Sequence, residues 1–235
     1  MRKIFISKEN ISANFIKFDK ESANHAFNVL RLKEGSKFKA VDGAGNEFEA
    51  VITNENCAKI ISVKKSAEIE NVPAINLYLA KIKQPRFETA LEKCTEIGVS
   101  SITPVTTKRC LPYEINENRI KRFNTIIEQA TRQCERFFVP ELRTETSLEK
   151  ALEKINGLTI VPDTSSKGLD FSKISHKIIS QKDINIFIGP EGGFTADEIS
   201  LAKGAGAEIL NLGSNILRTE TAAIVTCSLI KYGKR

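Results

Sequence analysis

From Ile75 onward short apolar runs alternate with longer stretches of helical periodicity, and no other feature of the chain restricts its fold as much. "INLYLA" precedes "RFETALEKCTEIG", and "SITPV" precedes "NRIKRFNTIIEQATRQCERFF". "LTIV", "INIFIG" and "EILNLG" then lead to a last helix, "AAIVTCSLI", apolar nearly all round. Strands separated by helices predict a mostly parallel sheet covered on both faces, an α/β domain. In the long helix Ile120, Phe123, Ile127, Ala130, Cys134 and Phe137 recur at helical spacing, which predicts its buried stripe.

Before Pro73 the pattern is different. "KFKAVDGAGNEFEAVIT" alternates apolar and polar residues around "DGAGN", which predicts a β-hairpin whose glycines take the turn's positive φ angles. Upstream, "SANHAFNVLRLKEG" reads as a helix with Ser22 as N-cap, a stripe through Ala26, Val29 and Leu30, and Gly35 as its stop. A β-rich first domain of residues 1–72 and an α/β second domain of residues 73–235 follow, with the boundary at Val72 and Pro73.

Hydrophobic residues make up 41% of the 235 and charged residues 27%, a globular balance far from that of disorder. The net charge of +6 is mild, but twelve basic residues stand against eight acidic ones between Lys81 and Arg143. That surplus suits a polyanion such as RNA, and equally an ordinary solvated surface. Five scattered cysteines without a Cys-x-x-Cys, and two distant histidines, His25 and His176, indicate neither a disulfide framework nor a metal centre. No apolar run has the length of a membrane span, and the N-terminus lacks a signal-peptide pattern, so a soluble cytoplasmic protein is expected.

A dinucleotide fold carries its glycine fingerprint after the first strand of the α/β unit, where this chain has "AKIKQPRFE". No phosphate loop of the G-K-[ST] type occurs either, which disfavours a nucleotide hydrolase. The glycine-rich turns come late, as "GPEGGF" and "GSNILRTETA", each after the carboxyl end of an expected strand, where open α/β sheets bind ligands. Thr195 and Glu198 form a capping-box pattern that starts a helix, and Glu191 just before it suits that helix's dipole. The first turn is therefore either a tight reversal or a ligand loop. In the second, Arg218 and Glu220 enter a region otherwise ready for burial, which is costly unless they pair with each other or serve a ligand.

"IGPEGGF" together with "LGSNILRTETA" resembles the RsmE family of 16S ribosomal RNA uridine N3-methyltransferases, members of the SPOUT superfamily. "HAFNVLRLKEGSKFKAVDGAGNEF", "EKCTEIGV", "TTKRC" and "ATRQCERFFVPE" are similar to further family signatures in the same order, so the likeness spans nearly the whole chain. The resemblance implies an N-terminal PUA-like β-barrel that binds RNA, a second domain with a deep trefoil knot, and a homodimer acting on 16S rRNA or the small subunit. It implies S-adenosylmethionine held by Val161, Pro162, Ile188, Gly189, Pro190, Gly192, Gly193, Leu212, Gly213, Ile216 and Leu217. Arg218 is the expected catalytic residue, orienting the uracil or its developing anion, with Glu220 holding Arg218 and Glu191 as a possible base. Arg2, His25, Arg31, Arg109, Gln133 and Arg136 are the expected RNA contacts. Lys108, Cys110, Arg132 and Cys134 depart from the family pattern. The rival readings are a non-catalytic ribosome- or RNA-binding module and a SPOUT methyltransferase of another RNA.

Overall fold

The computed structural model describes residues 3–65, 73–164 and 168–233. The chain forms two compact units, one of Met1–Asn71 with Glu128–Val139 and one of Val72–Ile127 with Pro140–Arg235.

The first unit contains β1 (Lys3–Phe5), β2 (Phe15–Lys17), α1 (Lys20–Ala23), β3 (Lys37–Val41), β4 (Asn46–Asn54) and β5 (Cys57–Lys65), with the strands in the order β1-β3-β4-β5-β2. All five strands send buried side chains into one core, among them Ile4, Ile16, Phe38, Phe48, Ile52 and Ala58, so the sheet curls around it. Burying each large apolar side chain contributes roughly 1.5 to 3 kcal/mol. The expected hairpin joins β3 to β4, and Gly45 in its loop has φ +91. A Cβ there would lie 2.4 Å from the Phe138 ring, so the loop needs glycine for close approach as well as for its backbone.

The helix expected from Ser22 is different in kind. Asp19 is the N-cap of α1 and Ser22 occupies its third position, the two closing a reciprocal capping box. The chain then widens into a π-helical turn over Asn24–Val29, where Leu30 N donates to His25 O at 2.9 Å. The wider turn buries Ala26 but turns Val29 outward, which breaks the expected stripe.

The second unit runs β6 (Ala74–Ala80), α2 (Gln84–Ile97), β7 (Ser101–Thr106), α3 (Glu117–Gln133, which from Glu128 onward belongs to the first unit), β8 (Glu141–Leu142), β9 (Thr146–Ser147), α4 (Leu148–Glu153), β10 (Leu158–Pro162), α5 (Phe171–Ile179), β11 (Asp183–Ile188), α6 (Ala196–Gly204), β12 (Glu208–Leu210) and α7 (Thr219–Tyr232). The strands form a seven-stranded sheet, β12-β10-β11-β6-β7-β8 with β9 on β7, and every pairing is parallel. α4 and α6 cover the face that carries Val105, Val161, Phe187 and Tyr78, the last two rings stacked 4.3 Å apart. α2 packs on α7, and α7 on β6 and β11.

Register across the sheet centre is set by a buried polar row. Asn76 donates to Asn185 Oδ1 at 3.3 Å and accepts from Ser101 Oγ at 2.7 Å, while Asn185 Nδ2 donates to Asn156 O at 2.7 Å. α3 is shorter than its sequence pattern suggests. It stops at Gln133 because Glu135 takes a left-handed backbone, φ +54, and Phe137 to Val139 pair instead with the hairpin loop of the first unit. Phe123, Ile127 and Ala130 are buried as expected, whereas Ile120 is exposed.

Candidate active site

The carboxyl ends of β10, β11 and β12 surround one cavity of about 460 Å³, within the usual range for small-molecule sites. Three segments form most of its lining, residues 162–164 at the end of β10, residues 188–194 at the end of β11 and residues from 212–219 at the start of α7, and Arg86 and Ala222 complete it. The two late glycine turns thus face a shared hollow. Parallel strands bring this about, since all their carboxyl ends lie on one side of the sheet.

Within the first loop Gly193 N donates to Pro190 O at 2.8 Å, closing a tight turn with Gly193 at φ +68. In the second, Gly213 has φ +110 and donates its N–H to Asn211 Oδ1 at 2.8 Å. A Cβ on either glycine would meet no protein atom within 4 Å, so their backbone conformations, rather than crowding within the chain, call for glycine. Ile188, Phe194, Leu212, Ile216 and Leu217 give the cavity an apolar lining. Ile216 is 85% exposed, an apolar side chain with room for a ligand beside it. Of the residues expected to hold a cofactor, Val161 alone does not line the cavity. It is 1% exposed and belongs to the core under α4 and α6, because alternation along β10 turns it to that face of the sheet.

The charged residues are arranged differently from the expected Arg218–Glu220 pair. Arg218 lines the cavity, is exposed, and has no ion pair among the described residues. Glu220 pairs with Arg86, 3.8 Å away, and Arg86 also pairs with Glu191. Arg86, in the first turn of α2, therefore stands between carboxylates from the glycine loop and from α7. Sequence reasoning missed it, having searched "AKIKQPRFE" for glycines alone, although an arginine just past the first strand's carboxyl end is itself a signal.

The segment after β7 reaches the same loop. Arg109 Nη1 donates to Gly192 O at 2.9 Å. Lys108 N donates to Glu198 Oε1 at 2.7 Å, and Thr195 N donates to Glu198 Oε2 at 2.7 Å. The buried Glu198 carboxylate thus completes the expected capping box and also fastens the 107–109 segment to α6. Among the other expected RNA contacts, His25 and Gln133 line one cleft in the first unit. Arg31 and Arg136 also belong to that unit, and Arg2 lies outside the described residues.

Residues 69–231 match the RNA methyltransferase domain family, and residues 18–69 match the RNA methyltransferase PUA domain. The chain is 32% identical to ribosomal RNA small subunit methyltransferase E of Rickettsia conorii, across 86% of this chain and 83% of that protein. The chain belongs to the RsmE family. Two solved structures are similar along 98% of its length and 97% of theirs. A methyltransferase of Legionella pneumophila in complex with S-adenosylmethionine has 29% identity and a TM-score of 0.81. Ribosomal RNA small subunit methyltransferase E of Neisseria gonorrhoeae, bound to S-adenosylmethionine, has 26% identity and a TM-score of 0.80.

The positions that depart from the RsmE pattern have local partners. Lys108 Nζ lies 3.2 Å from Asp197. Arg132 pairs with Glu21 and sits 4.8 Å over the Phe5 ring, so its charge is compensated within the first unit. Cys134 Sγ lies 3.7 Å from Thr131 O. Nothing in the structure explains Cys110.

Proposed function

We propose that this chain transfers the methyl group of S-adenosylmethionine to N3 of a uridine in the 16S ribosomal RNA of the small subunit. The observation that carries the reading is the shared cavity of the two glycine loops, with Arg218 on its lining. The residues fit the cofactor in two respects. Left-handed Gly193 and Gly213 offer unobstructed backbone where a bent nucleoside would lie, and Ile188, Leu212, Ile216 and Leu217 offer apolar contacts for its base. Pro162, Gly189, Pro190 and Gly192 complete the set that would hold it. When bound, S-adenosylmethionine supplies an electrophilic methyl group.

The chain's own task is alignment, which can contribute roughly 7 to 11 kcal/mol. Arg218, which has no carboxylate partner among the described residues, orients the uracil and stabilises the charge that develops as N3 loses its proton. Arg86 draws Glu191 and Glu220 to itself, so those carboxylates shape the cavity rather than act on the substrate.

The wider reading rests on the same family pattern. Leu169 exchanges backbone hydrogen bonds with Ile209 and Asn211, so the chain after β10 lies parallel alongside the end of β12. We read the second unit as the knotted catalytic domain, acting as a homodimer. The PUA-like unit, with Arg31, Gln133 and Arg136, then serves as the RNA-binding domain, and Arg109 as a contact beside the cofactor loop. Among the described residues no helix is long and apolar enough to cross a membrane, and we read the reaction as a cytoplasmic one on its RNA substrate.

Mass spectrometry of nucleosides from 16S rRNA tests the reading. Cells lacking the gene are expected to lose N3-methyluridine, the wild-type gene to restore it, and Arg218→Ala to restore less than about a tenth of it. Unchanged N3-methyluridine in the deletion strain would refute the assignment.

A further inference from the structure

The cleft of the first unit lined by His25 and Gln133, of about 680 Å³, lies between the π-helical turn and the last turn of α3. Its charges cancel in pairs. Lys3 lies 3.7 Å from Glu135, and Arg132 is paired with Glu21, all four residues lining the cleft. A phosphate would find no uncompensated lysine or arginine there. What the cleft offers is neutral: the carboxamides of Gln129 and Gln133 and the imidazole of His25, none hydrogen-bonded within the described residues, beside Val29, which is 62% exposed. The Nε of Arg132, buried in the wall, has no hydrogen-bond partner among the described residues.

The backbone around this cleft is strained. Among the described residues only Arg31, φ +53, and Glu135, φ +54, are non-glycine residues in the left-handed region. Glu135 lines the cleft and Arg31 follows Leu30, which lines it too. Such conformations cost on the order of 1 kcal/mol or more each and concentrate at ligand sites. Carboxamides present a donor and an acceptor side by side, as base edges do, and an imidazole offers a face for stacking.

We infer that this cleft binds an unpaired nucleobase of the RNA substrate, reading it with Gln129, Gln133 and His25 rather than gripping a phosphate. The inference rests on the RNA-substrate reading above. It gives His25 and Gln133, expected from the sequence only as RNA contacts, the role of base contacts.

Two short single-stranded RNA oligonucleotides test it with the full-length chain, one of mixed sequence and one of equal length abasic throughout. The wild type is expected to bind the intact strand about five- to a hundred-fold more tightly, the range of one stacked and hydrogen-bonded base. His25→Ala combined with Gln133→Ala is expected to lose most of that preference. It should keep the same salt slope on the abasic strand, since no phosphate contact is removed. Equal affinity of the wild type for both strands, a preference that survives in the double variant, or a shallower salt slope would overturn the proposal. Calorimetry with S-adenosylmethionine on the same variant reports its folding. Absence of heat there with the wild type would count against the methyl-donor reading alone.

Discussion

Arg218 and Glu220 stand two positions apart, yet their surroundings differ sharply. Arg218 is exposed on the cavity lining, while the Glu220 side chain is 13% exposed and faces Arg86. The sequence makes both residues conspicuous, since charges stand out before an apolar helix. It leaves the partner of Glu220 hidden, because Arg86 lies more than a hundred positions away and meets that carboxylate only once the parallel sheet gathers its strand ends. Glu88 shows a similar long link, between α2 and α3. Hydrogen bonds from Arg122, at 2.5 and 2.7 Å, hold its carboxyl below the usual carboxylate range against the opposing effect of burial. A depressed folded-state pKa means that this tie stabilises the fold above the ordinary glutamate range and loses its effect as pH falls through the lowered value. The melting temperature of Glu88→Gln is expected to lie below that of the wild type at pH 7, with the gap closing as pH falls below the ordinary glutamate range. A gap that stays constant across that interval would contradict the pairing.

At the level of elements, long periodic segments were legible and their ends were not. The alternation after Ile75 gives the strands and helices of the second unit because apolar spacing records which face is buried. The end of α3 escaped it, since Cys134 and Phe137 continue the stripe while Glu135 turns left-handed to let residues 137–139 meet the hairpin loop. A three-residue error at α1 has a comparable cause: Asp19 and Ser22 are both good caps, and the reciprocal bond between them decides which is which. The Asn76, Ser101 and Asn185 row was also invisible, since pairing across strands depends on register that a single chain does not display. Asn76→Ala would leave Asn185 and Ser101 each short of a buried partner. Its expected cost is about 1 to 3 kcal/mol by denaturant unfolding, and a loss under about 0.5 kcal/mol would show the row to be dispensable.

For the molecule as a whole, composition and charge bounded the answer without choosing it. A mild basic surplus suits RNA and an ordinary surface alike, and a knot lies outside anything periodicity can report, because unknotted connections are the rule on which pattern reading depends. The signal that did choose was the family resemblance carried by "IGPEGGF" and "LGSNILRTETA", and the fold brings both glycine turns to one hollow. The account's central claim is that this hollow holds a methyl donor. Isothermal titration of the full chain with S-adenosylmethionine tests it most directly. Saturable heat with one site per chain is expected, weakened at least about tenfold by Gly213→Val, which places a branched side chain on a left-handed backbone and into the open space of the pocket. A folded wild-type chain that gives no heat, or a Gly213→Val chain that binds as tightly as the wild type, would contradict it.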